Sequence, residues 1–153
     1  MYKKILVALD GSPLAEKGLE SAVSTAKQNP GSTLVLLTIL EVSALGEGLT
    51  YGGLAYNQLQ SQVNQALEEV SQKYMDNLVT KFKSEGIDMQ VEIGRGGAAE
   101  GIVNYAAENQ IDLVVITTRG RSGLGKFFLG SVASKVISTS PVPILVIPPE
   151  KRE

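Results

Sequence analysis

The sequence predicts an α/β fold of the doubly wound, Rossmann-like type, with five strands in a mainly parallel sheet and helices on both faces. Four runs are nearly continuous in Val, Ile and Leu, as strands covered on both faces are; they span residues 3–9, 33–42, 113–117 and 143–148. Helical patterns separate these runs, so right-handed crossovers join successive strands. We therefore expect a β-α-β-α-β-α-β-α-β order in a single domain over residues 1–153, a length that suits one hydrophobic core.

The remaining strand, at residues 88–94, has a different pattern. Met89, Val91 and Ile93 alternate with polar residues, so only one face of this strand is strongly apolar. The alternation predicts an edge strand.

Four helices are predicted between the strands. Ser12 followed by Pro13 is typical of an N-cap and a first helical residue, and the apolar face that follows consists of Leu14, Leu19, Ala22, Val23 and Ala26. The second helix has apolar residues spaced by three and four from Leu59, and this spacing lasts until Gly86. The third and fourth helices are predicted at residues 98–109 and from about 130 to before Pro141.

Composition excludes several classes of function. Fourteen Lys and Arg against sixteen Asp and Glu give a net charge of −2, so there is no overall positive field to attract nucleic acid or an acidic membrane. The chain has neither Cys nor His, which excludes disulfides, thiol nucleophiles and imidazole bases. The apolar run from Ile5 to Leu9 is too short for a signal peptide and no stretch is long enough to span a bilayer, so we expect a cytoplasmic protein.

The glycine-rich stretch GRSGLGKF, at residues 120–127, is one residue away from the P-loop pattern G-x-x-x-x-G-K-[ST]. The hydroxyl that should bind Mg²⁺ is replaced by Phe127, and the predicted helix begins only near Gly130. We conclude that it is not a P-loop. Its glycines still allow backbone N–H groups to approach a phosphate, and the helix N-terminus adds unsatisfied donors and partial positive charge.

Residues 43–57 form a long, glycine-rich connection after the second strand. Such a length suits either a lid over a ligand cleft or a mobile loop, and the sequence does not decide between them.

Three segments resemble the universal stress protein family across essentially the whole chain: KKILVALDGS (3–12), GRGGAAEGIVNYAAENQIDLVVITTRGRSG (94–123) and FFLGSVASKVISTSPVPILVI (127–147). The resemblance implies the adenine nucleotide alpha hydrolase-like fold. In nucleotide-binding members the loop after the fourth strand reads G-x-x-G-x(9)-G-[ST], and Gly120, Gly130 and Ser131 fit its second half. Thr117 stands where the family has its leading glycine, and a β-branched residue there is expected to narrow the pocket or weaken binding.

The resemblance implies an adenine nucleotide site for ATP or AMP, with or without Mg²⁺ and with no metal ligand from protein side chains. Residues 118–129 would be its phosphate loop, and an apolar slot for adenine would consist of Ala8, Ile39 and Ile116. The full set of implied nucleotide-binding residues is Ala8, Leu9, Asp10, Ser12, Ile39, Ile116, Thr117, Gly120, Arg121, Gly123, Gly130, Ser131 and Val132.

Two of these residues have an alternative structural interpretation. Asp10 either accepts a hydrogen bond from the ribose or caps the turn into the first helix through the N–H of Ser12 or Leu14. Ser131 either binds phosphate or is the N-cap of the fourth helix.

Three functions are compatible with the fold and the resemblance, to different degrees. The first is a dimeric regulatory protein of the stress response in which an adenine nucleotide changes the affinity for a protein partner. The second is a dimeric interaction module that has lost nucleotide binding, with Thr117 as its supporting feature. The third, a phosphotransferase or strong ATPase, ranks last because the chain lacks a Walker hydroxyl, any His and an acidic pair for Mg²⁺; no catalytic residue is identified, and at most slow ATP hydrolysis is expected.

The apolar edge of the last strand predicts that the chain forms a dimer. The strand is bracketed by prolines and, in a monomer, would leave Val142, Ile144 and Val146 near an uncovered edge. Relatives that this chain resembles pair through that strand about a two-fold axis, so we expect a homodimer with these residues at its interface.

Overall fold

The computed structural model describes residues 1–41, 53–118 and 129–148 of the chain. Its strands are β1 (Lys4–Ala8), β2 (Thr33–Leu40), β3 (Asp88–Arg95), β4 (Leu113–Thr117) and β5 (Ile144–Ile147). Its helices are α1 (Pro13–Lys27), α2 (Gly53–Lys81), α3 (Ala98–Glu108) and α4 (Ser131–Thr139). The predicted alternation of strands and helices is confirmed.

The five strands form one sheet in the order β3-β2-β1-β4-β5, and every neighbouring pair is parallel. The chain moves outward from β1 to β3, returns to the centre and then moves the other way through β4 to β5. The order therefore reverses between β1 and β4, at the middle of the sheet. β3 lies at one edge, as its alternating pattern predicts, and β5 lies at the other.

Helices cover both faces of the sheet. Helices α1 and α2 pack on one face, in a core with Ile5, Val7 and Val115. Helices α3 and α4 pack on the opposite face, in a core with Leu6, Val114 and Ile116. Successive residues of β1 and β4 thus enter different cores, which explains why these strands are apolar at nearly every position.

The start of β1 is fastened to the turn before β4. The Asp112 carboxylate accepts hydrogen bonds from the backbone N–H groups of Lys3 and Lys4, at 2.8 and 2.9 Å. These hydrogen bonds, that of Lys4 first, hold the pKa of Asp112 below its usual value.

The beginning of α2 corrects the predicted boundary of the long connection. The helix starts at Gly53 rather than near Leu59, so residues 53–57 are helical and the predicted loop is shorter at this end. Leu54, Ala55 and Gln58 are good helix formers, and they extend the helix beyond the part that its apolar spacing identified. The remainder of the predicted lid, residues 43–52, lies outside the described residues.

The end of α2 also differs from the prediction. The helix ends at Lys81, a single 3-10 turn follows at Lys83–Glu85, and Gly86 closes it with a φ of 69°. Glycine suits this left-handed position because it has no Cβ.

Across the described parts of the chain, no helix has the length and apolar character needed to span a membrane.

Candidate functional site

A cleft opens beyond the carboxyl ends of β1, β2 and β4, at the point where the strand order reverses. It has a volume of about 950 Å³, within the range of small-molecule sites. Strand ends and the connections after them contribute residues 8–11, 37–41, 116 and 117. The helices contribute Ala15, Leu67, Val70, Ser71, Tyr74, Ala98, Ile102 and residues 130–133. This is the location that the predicted fold assigns to a ligand.

A second groove, of about 730 Å³, lies along the polar side of α2 beside Arg95. It is shallow, and the side chains that line it are mostly amides and carboxylates such as Asn64 and Glu69. Arg95 forms an ion pair with Glu68 across it. This groove along α2 has no apolar wall, so the strand-end cleft is the better candidate site.

The three residues of the predicted adenine slot come together in the cleft. Ile39, Ala8 and Ile116 stand at the ends of three neighbouring strands, and all three side chains belong to the core on the α3 and α4 side. The central residue has only a methyl group, so a narrow apolar recess lies between the two isoleucines. Leu9 also lines the cleft, but its side chain is buried in the opposite core.

Asp10 and Ser12 shape the turn into α1. The Asp10 carboxylate accepts a hydrogen bond from the N–H of Ser12 at 3.0 Å, which confirms the capping alternative for Asp10. Ser12 is the N-cap, as predicted, and its hydroxyl oxygen accepts from the N–H of Ala15 at 3.2 Å. Asp10 lines the cleft, whereas Ser12 is not among the cleft-lining residues. A ribose contact from Asp10 stays a prediction.

Thr117 projects in a direction that the sequence did not indicate. Its methyl group lies against Gly18 of α1, where a Cβ on Gly18 would be only 2.9 Å away from it. It therefore points to the face opposite Ile116 and the slot. Gln110 is the non-glycine residue with positive φ among the described residues, so Thr117 has no backbone strain of that kind. Thr117 still lines the cleft, and its effect on nucleotide binding stays a prediction.

The N-terminus of α4 faces the cleft. Gly130, not Ser131, is its N-cap, so Ser131 is the first helical residue and the capping alternative for Ser131 is wrong. Gly130 supplies no side-chain cap, and its φ of −52° is one that any residue can adopt. Gly130, Ser131 and Val132 all line the cleft. Residues 119–128 of the predicted phosphate loop (118–129), which include Gly120, Arg121 and Gly123, lie outside the described residues.

The wall contributed by α2 was missed by sequence analysis. The Tyr74 hydroxyl donates to Glu16 of α1 at 3.1 Å, and Lys81 forms an ion pair with the same carboxylate at 3.4 Å. Burial and the Glu16 carboxylate together raise the pKa of Tyr74 to about 12. These contacts hold α2 beside α1, and Leu67 and Val70 of the same helix face the cleft.

Helix length is the signal that could have revealed this wall. At 29 residues α2 is roughly 43 Å long, whereas an eight-residue strand such as β2 spans roughly 26 Å. The sheet cannot cover the whole apolar face of such a helix. Leu59, Val63, Leu67 and Val70 are accordingly 40–68% exposed.

The model of the universal stress protein family matches residues 1–148 of this chain. The chain belongs to the universal stress protein family. It is similar to universal stress protein YxiE of Bacillus subtilis, with 31% identity over 149 residues that cover 96% of this chain and 99% of that protein. It is also similar to the solved structure of MJ0577 of Methanocaldococcus jannaschii, with a TM-score of 0.82, 25% identity and 99% coverage of each chain. These likenesses confirm the predicted fold.

Two more distant universal stress proteins have been solved with adenine nucleotides. One, from Arabidopsis thaliana, has AMP bound; it has a TM-score of 0.66 and 18% identity, and the match covers 97% of this chain and 92% of that one. The other is in complex with cAMP; it has a TM-score of 0.61 and 20% identity, and the match covers 95% of this chain and 97% of that one. At these identities the comparison shows a shared fold.

A metal site in this universal stress protein would need several ligands on one ion. Within residues 1–41, 53–118 and 129–148, no group of three or more acidic side chains is placed to hold a metal ion. The chain contributes no His or Cys anywhere.

The contact between Gly18 and Thr117 yields a stability prediction. Gly18→Ala introduces a methyl group 2.9 Å from a stiff β-branched side chain, so it destabilises the protein by about 1 kcal/mol even after the gain in helix propensity is subtracted. Thr117→Ser removes the opposing methyl, and the double variant should recover most of the loss. Urea unfolding followed by circular dichroism measures both. A Gly18→Ala protein as stable as wild type would show that Thr117 is free to move aside.

Proposed function

We propose that this universal stress protein binds an adenine nucleotide, ATP or AMP, in the strand-end cleft, and acts in the cytoplasm as a dimeric regulator of the stress response. The observation that carries the proposal is the juxtaposition of the recess over Ala8 with the N-terminus of α4 in one cleft. The recess suits a flat apolar ring, and the helix N-terminus suits phosphate. AMP and cAMP in proteins of the same fold support the choice of adenine.

Each part of such a nucleotide can be matched to particular residues of the cleft. Ile39 and Ile116 would hold the base between them, over Ala8. Asp10 would accept a hydrogen bond from a ribose hydroxyl while it keeps its contact with the N–H of Ser12. The backbone N–H groups at the start of α4 and the hydroxyl of Ser131 would bind phosphate. Mg²⁺, if it accompanies a triphosphate, would bind chiefly to phosphate oxygens and water.

Regulation by binding fits this chain better than catalysis. It has no histidine or cysteine, and the described residues bring no acidic cluster to the cleft. A bound nucleotide would act by favouring one conformation, and so change the affinity for a protein partner. An interaction module without nucleotide remains the alternative. Its supporting feature was Thr117, whose methyl group points toward Gly18 rather than into the recess.

The N-terminus of α4 can be tested with one substitution. Gly130→Val should lower the affinity for ATP and AMP by at least about tenfold, because the branched side chain would crowd the backbone donors at the helix start. The fold should survive, since the φ of Gly130 is −52° and a Cβ there has no described atom within 4 Å. Isothermal titration calorimetry measures the affinity.

Gly97 provides the matched control. It is the N-cap of α3, with a φ of −70°, and it does not line the cleft. Gly97→Val should bind nucleotide as wild type does. Equal affinity in wild type and a folded Gly130→Val protein would remove the α4 N-terminus from the site.

The proposed dimer rests on the free edge of β5. Among the described strands β5 pairs only with β4, so its other edge has unpaired backbone groups. Val142, Ile144 and Val146 lie on or just before this edge strand, where they are half-buried and pack against the core on the α3 and α4 side. Antiparallel pairing of two β5 strands about a two-fold axis would cover both edges in a closed assembly.

Val146→Lys should shift this assembly toward monomer in sedimentation equilibrium, because it places a charge beside the paired edges. Leu59→Lys is the control: it makes the same kind of change on α2, whose contacts are with β2 and β3 at the other side of the sheet. The control should remain dimeric. A wild-type protein that sediments as a monomer at micromolar concentration would contradict the proposal, and thermal unfolding checks that both variants are folded.

A further inference from the structure

The side chain of Ile39 occupies a notch formed by two glycines. Gly94 is its partner on β3 in the register of the sheet, and Gly101 lies above it on α3. A Cβ on Gly94 would lie 2.6 Å from the Cδ1 of Ile39, and a Cβ on Gly101 would lie 2.7 Å from the same atom. Real Cβ atoms do not approach other atoms so closely, so any other residue at either position would force Ile39 to move.

The direction of that movement is restricted. In the sheet, Ile39 stands between β3, which carries Gly94, and β1, which carries Ala8. Helix α3 closes the space above it at Gly101. The space left is on the side of β1, above Ala8, which is the apolar recess of the cleft. A displaced Ile39 would fill the recess.

We infer that Gly94 and Gly101 are specificity-determining residues: they hold Ile39 back from Ala8 and so make the recess wide enough for a purine base. This inference rests on the proposed function and deepens it, since it names the residues that set the width of the recess for the base. Neither glycine has a positive φ, so their small size rather than their backbone freedom is what the site requires. Ala8 also contributes through its small size, because its single methyl group leaves the recess above it open.

Gly94 permits the sharper test. The Cδ1 of Ile39 is the single atom within 3.4 Å of a Cβ at this position, and Ile39→Val removes that atom alone. The four proteins for a double-mutant cycle are wild type, Gly94→Ala, Ile39→Val and the double variant. Affinities for AMP and CMP are measured by calorimetry, because a pyrimidine needs less room than a purine.

Gly94→Ala should bind AMP about tenfold more weakly than wild type and should lose less affinity for CMP, so the ratio of AMP to CMP affinity falls. Adding Ile39→Val should return the AMP affinity to that of the Ile39→Val protein. Gly97→Ala is the matched glycine exchange outside the cleft and should leave both affinities unchanged.

The outcomes separate the two proposals. A wild-type protein that binds no AMP would sink the proposed function and this inference with it. Wild-type binding with an equally tight, folded Gly94→Ala protein would overturn only the inference. Equal loss of AMP and CMP, or a loss that Ile39→Val does not restore, would also overturn it, because the glycine would then act through the fold and not through Ile39.

Discussion

The reversal of strand order between β1 and β4 is the constraint on which the site depends. The crossover from β1 leads away to β2 on one side, and the crossover from β4 leads to β5 on the other. The two crossovers therefore lead away from each other, and the carboxyl ends of β1 and β4 border the cleft. That opening brings Asp10, Ile116 and the N-terminus of α4 to one place, although they are far apart in the chain.

Small residues determine the shape of this opening. Ala8 leaves the recess between the two isoleucines, and Gly94 and Gly101 receive the side chain of one of them. Gly18 receives the methyl group of Thr117 on the opposite face. For Ile39 and Thr117 alike, a β-branched side chain at the carboxyl end of a strand is accommodated by a missing Cβ on a neighbouring element. The width of the apolar recess therefore depends on the absence of a Cβ at Gly94 and Gly101 as well as on the residues that line it.

The fold was predictable because β-branched runs and helix-terminal signals act locally. Runs of Val, Ile and Leu identified the buried strands, alternation identified β3 as an edge, and Ser12 with Pro13 identified the start of α1. The apolar trio at the strand ends could be named as well, through resemblance. The contact partners of these residues could not. Alternation along β4 places Thr117 on the face opposite Ile116, but its contact with Gly18 depends on how α1 packs on the sheet. The same holds for the link between Tyr74 and Glu16, which joins residues 58 positions apart.

Occupancy of the strand-end cleft by an adenine nucleotide can be tested directly. The most direct measurement is mass spectrometry of the small molecules released when the purified protein is denatured, before and after incubation with millimolar ATP and AMP followed by desalting. We expect an adenine nucleotide at close to one per chain. A protein that releases none, even after incubation, would contradict this expectation and leave an interaction module of the same fold.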